Sequence, residues 1–162
     1  MKLPLRYLPD VLTKNDKLKQ IKMLTKSKKL YKKHKYYTRR PLASFKNKKS
    51  NHVAVARKTY NIEVITPNEE FARKTGCKLS ALKQIVKKGE GAYYSSGSRP
   101  NQTPASWGLA RLASAITAGK AAAVDYAIID KGCDHTKKAF ILAKQSKKKY
   151  KYGRAKTRKI SL

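Results

Sequence analysis

The sequence predicts a mainly α fold. We expect a small bundle of four or five short helices with room for a minor two-stranded element, an extended basic N-terminal arm and a basic C-terminal tail. Three observations carry this. Apolar residues recur at helical spacing, most cleanly at Leu109, Leu112, Ala113 and Ile116. Helix punctuation is frequent: Thr66-Pro67-Asn68-Glu69 reads as a start, and Gly76, Gly89, Gly119 and Gly132 read as stops. The charge is also uneven. Residues 1–60 hold 19 Lys/Arg against 2 acids, residues 61–145 hold 13 against 7, and residues 146–162 hold 8 against none. The chain divides accordingly into 1–50 (basic helix and arm), 51–145 (helical core) and 146–162 (tail).

In order along the chain, Thr13 with Asp16 three residues on resembles a capping box opening a helix over about 14–32. Its apolar residues, Leu18, Ile21, Leu24 and Leu30-Tyr31, form a thin stripe among lysines, too little to hold a helix by burial alone. Residues 33–49 read as an extended arm with no core of its own. A short helix follows at about 51–59, and the alternation of Tyr60, Ile62 and Val64 suits a brief strand. The next helix opens with Thr66 as N-cap and Pro67 at the first turn, and stops at Gly76. Ser80 caps another, burying Leu82, Ile85 and Val86 and ending at Gly89. Residues 89–103 are the one long loop. Thr103-Pro104 starts the helix bearing Leu112, and Gly119 separates it from an alanine-rich helix with Ala121, Val124 and Ile128 on one side. A last helix, about 136–145, offers Phe140, Ile141 and Leu142.

No window approaches the roughly 18 apolar residues of a membrane span. The first nine residues, interrupted by Pro4 and Pro9, have no apolar stretch of signal-peptide length, so synthesis inside the cell is expected. Cys77 and Cys133 do not make a disulfide framework, which fits a reducing compartment. Two separate buried thiols are the favoured reading, with a disulfide left open. With His135 they would supply three zinc ligands, but the second close-spaced pair of a structural site is missing, so no metal or other cofactor is expected.

Catalysis needs a converging nucleophile, base and electrostatic groups. Ser95, Ser96, Ser98 and His135 stand without a nucleophile-elbow spacing or paired carboxylates, so no catalytic residues are assigned. The glycines at 89 and 91 lack the Lys-Ser/Thr ending of a phosphate-binding loop. Arg99 with the following helix start resembles an anion site, although Asn101, Gln102 and Thr103 equally suit capping.

The chemistry resides instead in the charge, 40 Lys+Arg against 9 Asp+Glu and a formal net +31. Self-repulsion at that density opposes compaction, so a polyanionic partner belongs to the working state. The expected contact residues are Lys28, Lys29, Lys32, Lys33, Lys35, Arg39, Arg40, Lys46, Lys48 and Lys49 near the N-terminus. Lys147, Lys148, Lys149, Lys151, Arg154, Lys156, Arg158 and Lys159 join them near the C-terminus, with Arg99 between. Tyr31, Tyr36 and Tyr37, interleaved with lysines, suit stacking on single-stranded nucleic acid or lying over an acidic protein surface. No signature of sequence-specific readout accompanies them, so nucleic-acid binding would be electrostatic and salt-sensitive.

The segment Lys87-Lys-Gly-Glu-Gly-Ala-Tyr-Tyr-Ser-Ser-Gly-Ser-Arg-Pro-Asn-Gln-Thr-Pro-Ala-Ser-Trp-Gly-Leu-Ala-Arg-Leu-Ala-Ser114, continued by Thr117-Ala-Gly-Lys-Ala-Ala-Ala-Val-Asp125, resembles a small uncharacterised domain family of nucleocytoplasmic large DNA viruses, such as chlorella viruses and mimivirus relatives. Arg6-Tyr-Leu-Pro9 and Lys28-Lys-Leu-Tyr-Lys-Lys-His-Lys-Tyr-Tyr-Thr38 resemble it too, so the likeness covers most of the chain. The chain departs from it at Ala118-Gly119, near the helix junction where members of that family often read Gly-Gly. The resemblance implies a giant-virus setting and transfers no enzymatic activity. Charge and resemblance together lead to the expectation of a non-enzymatic minor capsid protein on the inner face of an icosahedral double-stranded DNA virus shell. Its basic arms would bridge the major capsid protein and other minor capsid proteins. The alternative is a virion protein that condenses genomic DNA without sequence preference.

Overall fold

The computed structural model describes residues 1–47, 50–151 and 158–162. Among these the fold is mainly helical, with eight α-helices and one two-stranded antiparallel sheet. By backbone proximity the chain forms two compact units. The first gathers Met1–Lys48, Glu90–Trp107 and Lys156–Leu162, and the second gathers Lys49–Gly89 and Gly108–Ala155. The sequence divided the chain into three consecutive pieces, whereas contact joins segments distant along it.

In the first unit the sheet is made by the chain ends. Strand β1 (Lys2–Pro4) pairs antiparallel with β2 (Lys159–Ser161), Leu3 opposite Ile160. The strand expected around Tyr60, Ile62 and Val64 is not formed: Tyr60 ends a helix and 61–66 are irregular. Leu3, Tyr7, Leu8 and Leu24 are buried together, with Ile21, Trp107 and Ile160 packed against them.

Helix α1 (Lys14–Tyr31) begins where the cap predicts. Thr13 Oγ1 accepts from the Asp16 amide at 3.2 Å. The reciprocal half of the capping box is replaced: the Thr13 amide donates to Ser44 Oγ, and the Asp16 carboxylate accepts from the Ser44 amide and hydroxyl. The helix buries Asp16, Gln20, Leu24 and Ser27, a largely polar face, while Leu18 is 58% exposed. Polar residues face inward here because each finds a partner. Gln20 Nε2 donates to the Tyr7 and Ser98 carbonyls, and Ser27 Oγ to the Tyr94 carbonyl.

The helix ends in a left-handed turn at His34 (φ 56°), with Lys35 N–H donating to the Leu30 carbonyl and His34 N–H to that of Tyr31. This pair of bonds reverses the chain. From there to residue 47 the backbone is irregular but packed, which corrects the free arm expected over 33–49. Arg39 and Leu42 are buried, and Asn101 clasps the segment by accepting from the Leu42 amide and donating to the Leu42 and Phe45 carbonyls.

The second unit is helical throughout. It comprises α2 (Asn51–Tyr60), α3 (Glu69–Thr75), α4 (Leu79–Ser95) as far as Gly89, α5 (Pro104–Ala115) from Gly108, α6 (Lys120–Val124), α7 (Tyr126–Gly132) and α8 (Lys138–Tyr150). Tyr60, Phe71, Leu82, Ile85, Leu112, Ile116, Ile129 and Phe140 are among its buried residues. The Tyr60 hydroxyl, pushed up in pKa by burial, donates to the Ile116 carbonyl at 2.5 Å. Helix α3 starts later than expected, because Asn68 rather than Thr66 supplies the cap to the Phe71 amide. It stops as expected at Gly76 (φ 76°).

Helix α4 starts at Leu79 and continues through Gly89 and Gly91 to Ser95, so the long loop shrinks to 96–103. Gly89 is not a stop. A Cβ there would lie 2.6 Å from the Gly108 Cα, so the glycine permits close approach of α4 and α5. The single helix expected after Gly119 is broken at Asp125, leaving Val124 exposed and Ile129 buried. The buried Asp125 carboxylate takes two bonds from Arg111 (2.7 and 2.8 Å) and lies 3.4 Å from Lys88 Nζ.

Cys77 and Cys133 form a disulfide, contrary to the favoured reading of separate thiols. They face each other across an isolated antiparallel bridge, flanked by the bonds Lys78 N–H to Gly132 and Asp134 N–H to Gly76. Such a narrow pair brings side chains together. No buried side-chain N or O among the described residues lacks a hydrogen-bond partner.

Candidate polyanion-binding surface

Most of the predicted contact residues in the first unit lie at its surface. Lys29, Lys32, Lys33, Lys35, Arg40, Lys46, Arg99, Arg158 and Lys159 are exposed and Lys28 is half-buried. In the second unit, the last turns of α8 carry exposed Lys148 and Lys149 and half-buried Lys147, followed by exposed Lys151. The tail expected from 146 is thus helical as far as Tyr150, with Lys147 Nζ 4.3 Å from the Tyr126 ring centre. Lys48, Lys49, Arg154 and Lys156 lie outside the described residues.

Arg39 departs from the expectation. It is 6% exposed, and its guanidinium donates to Ser27 Oγ (3.0 Å), the Tyr93 carbonyl (3.0 Å) and Ser98 Oγ (2.8 Å) while lying 3.7 Å from the Tyr93 ring centre. Burial lowers its pKa, opposed by the surrounding tyrosines. Arg39 therefore anchors the segment after α1 instead of meeting a partner.

The 96–103 loop is likewise engaged with its own unit. Ser98 serves Arg39, and Asn101 holds residues 42–45. Thr103 and Ser106 cap α5 reciprocally, Ser106 N–H to Thr103 Oγ1 and Thr103 N–H to Ser106 Oγ. Capping, the plainer of the two sequence readings, describes this loop. Of the remaining catalytic candidates, Ser95 and Ser96 are exposed, and His135 stacks on Phe140 at 3.8 Å beside Asp130.

The tyrosines behave differently. Tyr31 lies nearly parallel to Tyr94, with centroids 6.2 Å apart. Tyr36 meets both edge-on, at 6.1 Å and 5.0 Å. Tyr37 carries Lys26 over its ring at 4.5 Å. Sequence reading named Tyr31, Tyr36 and Tyr37 but missed Tyr94, which sat in the loop that proved to be helix. Near Tyr31, Lys28 is held below the usual ammonium pKa by burial, then by the like charges of Lys159 and Lys32.

Several acids, by contrast, pair with cations of the fold. Asp16 pairs with Lys19, Asp125 with Arg111 and Lys88, Glu70 with Lys74, and Asp10 with Lys17. No group of three or more metal-ligating side chains gathers among the described residues, and no helix there is long and apolar enough to cross a membrane.

Fold and surface together define a small, mainly helical, strongly basic protein with one internal disulfide. The chain belongs to a family of unknown function, DUF5824, which matches residues 4–133. Neither a curated protein nor a solved structure shows significant similarity to it.

Proposed function

We propose that the protein is a non-enzymatic minor capsid component of a large double-stranded DNA virus, docked by its cationic surface on acidic faces of shell proteins. The observation that supports this reading is the charge surplus. Nine acids face forty Lys and Arg, and several of those acids are occupied within the fold. Positive charge thus exceeds negative by 31, and opposite charge on a partner is what complements that excess. The likeness of residues 87–125 to a giant-virus domain supplies the setting. The folded arm narrows the mechanism. Arg39, Leu42 and Asn47 are bonded to residues of their own unit, which favours docking through exposed lysine faces over a long bridging strap.

Purified particles opened, treated with nuclease and washed at rising salt provide the test. Retention with the shell at a fixed ratio to the major capsid protein upholds the proposal. Release together with the DNA, in step with salt, overturns it in favour of genome condensation.

A further inference from the structure

We propose that Tyr31, Tyr36 and Tyr94, together with Lys28, Lys32 and Lys159, form a stacking platform for single-stranded nucleic acid. This site lies wholly within the first unit and does not depend on the capsid reading.

Three rings from separate places in the sequence meet here, at centroid distances between 5.0 and 6.2 Å. They are not a core, because Tyr36 is 70% exposed although it touches two other rings. An aromatic ring left open among lysines offers a π-face to a base while the ammonium groups meet phosphates. The lysines are placed for this. Lys28 lies one helical turn before Tyr31 in α1, Lys32 follows Tyr31, and Lys159 arrives on strand β2. Burial lowers the Lys28 pKa first, and the like charges of Lys159 and Lys32 lower it further. Like charges that crowd one another are relieved by an anion.

The platform is also held in place before any ligand arrives. The left-handed turn at His34 folds the chain back toward α1, and buried Arg39 fixes it three residues beyond Tyr36. Tyr93, next to Tyr94, accepts the Arg39 amide through its hydroxyl at 2.8 Å. Little ordering is then needed on binding, which favours affinity. Single strands are the class that fits, since in a duplex both faces of each base are already stacked.

The test is fluorescence anisotropy of the full chain with three labelled probes: an oligothymidylate, an abasic strand of the same length, and a duplex. We expect the oligothymidylate to bind roughly ten-fold tighter than the abasic strand. Tyr36→Ala should erase that preference and Tyr36→Phe should retain it. Because Tyr36 is exposed, both variants should keep the wild-type thermal midpoint. Lys28→Gln with Lys32→Gln should lower the salt slope for both strands alike. Equal affinity for base-bearing and abasic strands, tighter binding of the duplex, or a Tyr36→Ala variant that keeps its base preference would each overturn the proposal.

Discussion

Arg39 shows how one residue changes role between sequence and structure. Among Lys35, Arg39 and Arg40 it reads as one more surface cation, yet it is buried and makes three hydrogen bonds without a carboxylate. A lysine keeps the charge but not the planar fork that reaches Ser27, Tyr93 and Ser98 together. Arg39→Lys should therefore destabilise the protein by about 2 kcal/mol, the cost of leaving buried polar groups poorly paired, readable in urea unfolding. The Asp16 carboxylate is held below its ordinary pKa, first by the Ser44 hydroxyl and then by the Ser44 amide. A depressed carboxylate stabilises the fold above the unfolded-state pKa of about 3.9, and that contribution fades as pH falls through the folded-state value. Thermal midpoints of wild type and Asp16→Asn should thus differ at neutral pH and converge well below pH about 4. Nothing in the local sequence pairs Asp16 with Ser44, since the bond spans an irregular chain reversal. The Thr13 cap, by contrast, involves residues three apart and was legible.

Helix interiors were easier to read than their ends. The Thr13 cap placed the start of α1, and the 3.6-residue pattern placed α5, because a buried face must repeat at that interval. Gly89 misled because a glycine serves two purposes, ending a helix or letting another helix approach, and sequence does not separate them. The close approach to Gly108 decides. Gly89→Ala should destabilise by about 1–3 kcal/mol despite the better helix propensity of alanine, because the added methyl meets backbone. Chemical denaturation of the variant checks this. Asp125 misled in the opposite sense. Its carboxylate is bought out of water by Arg111 and Lys88, and the helix breaks where it sits. The link between the α3–α4 and α7–α8 connections is the Cys77–Cys133 disulfide, across a sequence separation of 56. Closing a loop of that length is worth about 4 kcal/mol on chain entropy. Reduction, or Cys77→Ser with Cys133→Ser, should lower the thermal midpoint markedly in calorimetry.

At the scale of the whole molecule the governing quantity is a net charge of +31. Self-repulsion reaches about 30 Å at 0.01 M salt but only about 8 Å at 0.15 M, so the thermal midpoint should rise with added sodium chloride. It should rise further with a polyanion such as heparin, which binds the folded surface; differential scanning fluorimetry measures both. A midpoint indifferent to salt would mean that the lysines are already compensated within the fold. The mainly helical class, the positions of most helices and the cationic character were legible along the chain, because periodicity and charge are properties of sequence neighbours. The pairing of the termini as a sheet, the joining of two distant cysteines, the anchoring by Arg39 and the meeting of Tyr94 with Tyr31 and Tyr36 arise in the folded chain alone. Each of these depends on which residues meet after the chain reverses. Those reversals turn at positions such as His34, where no glycine announced a left-handed backbone.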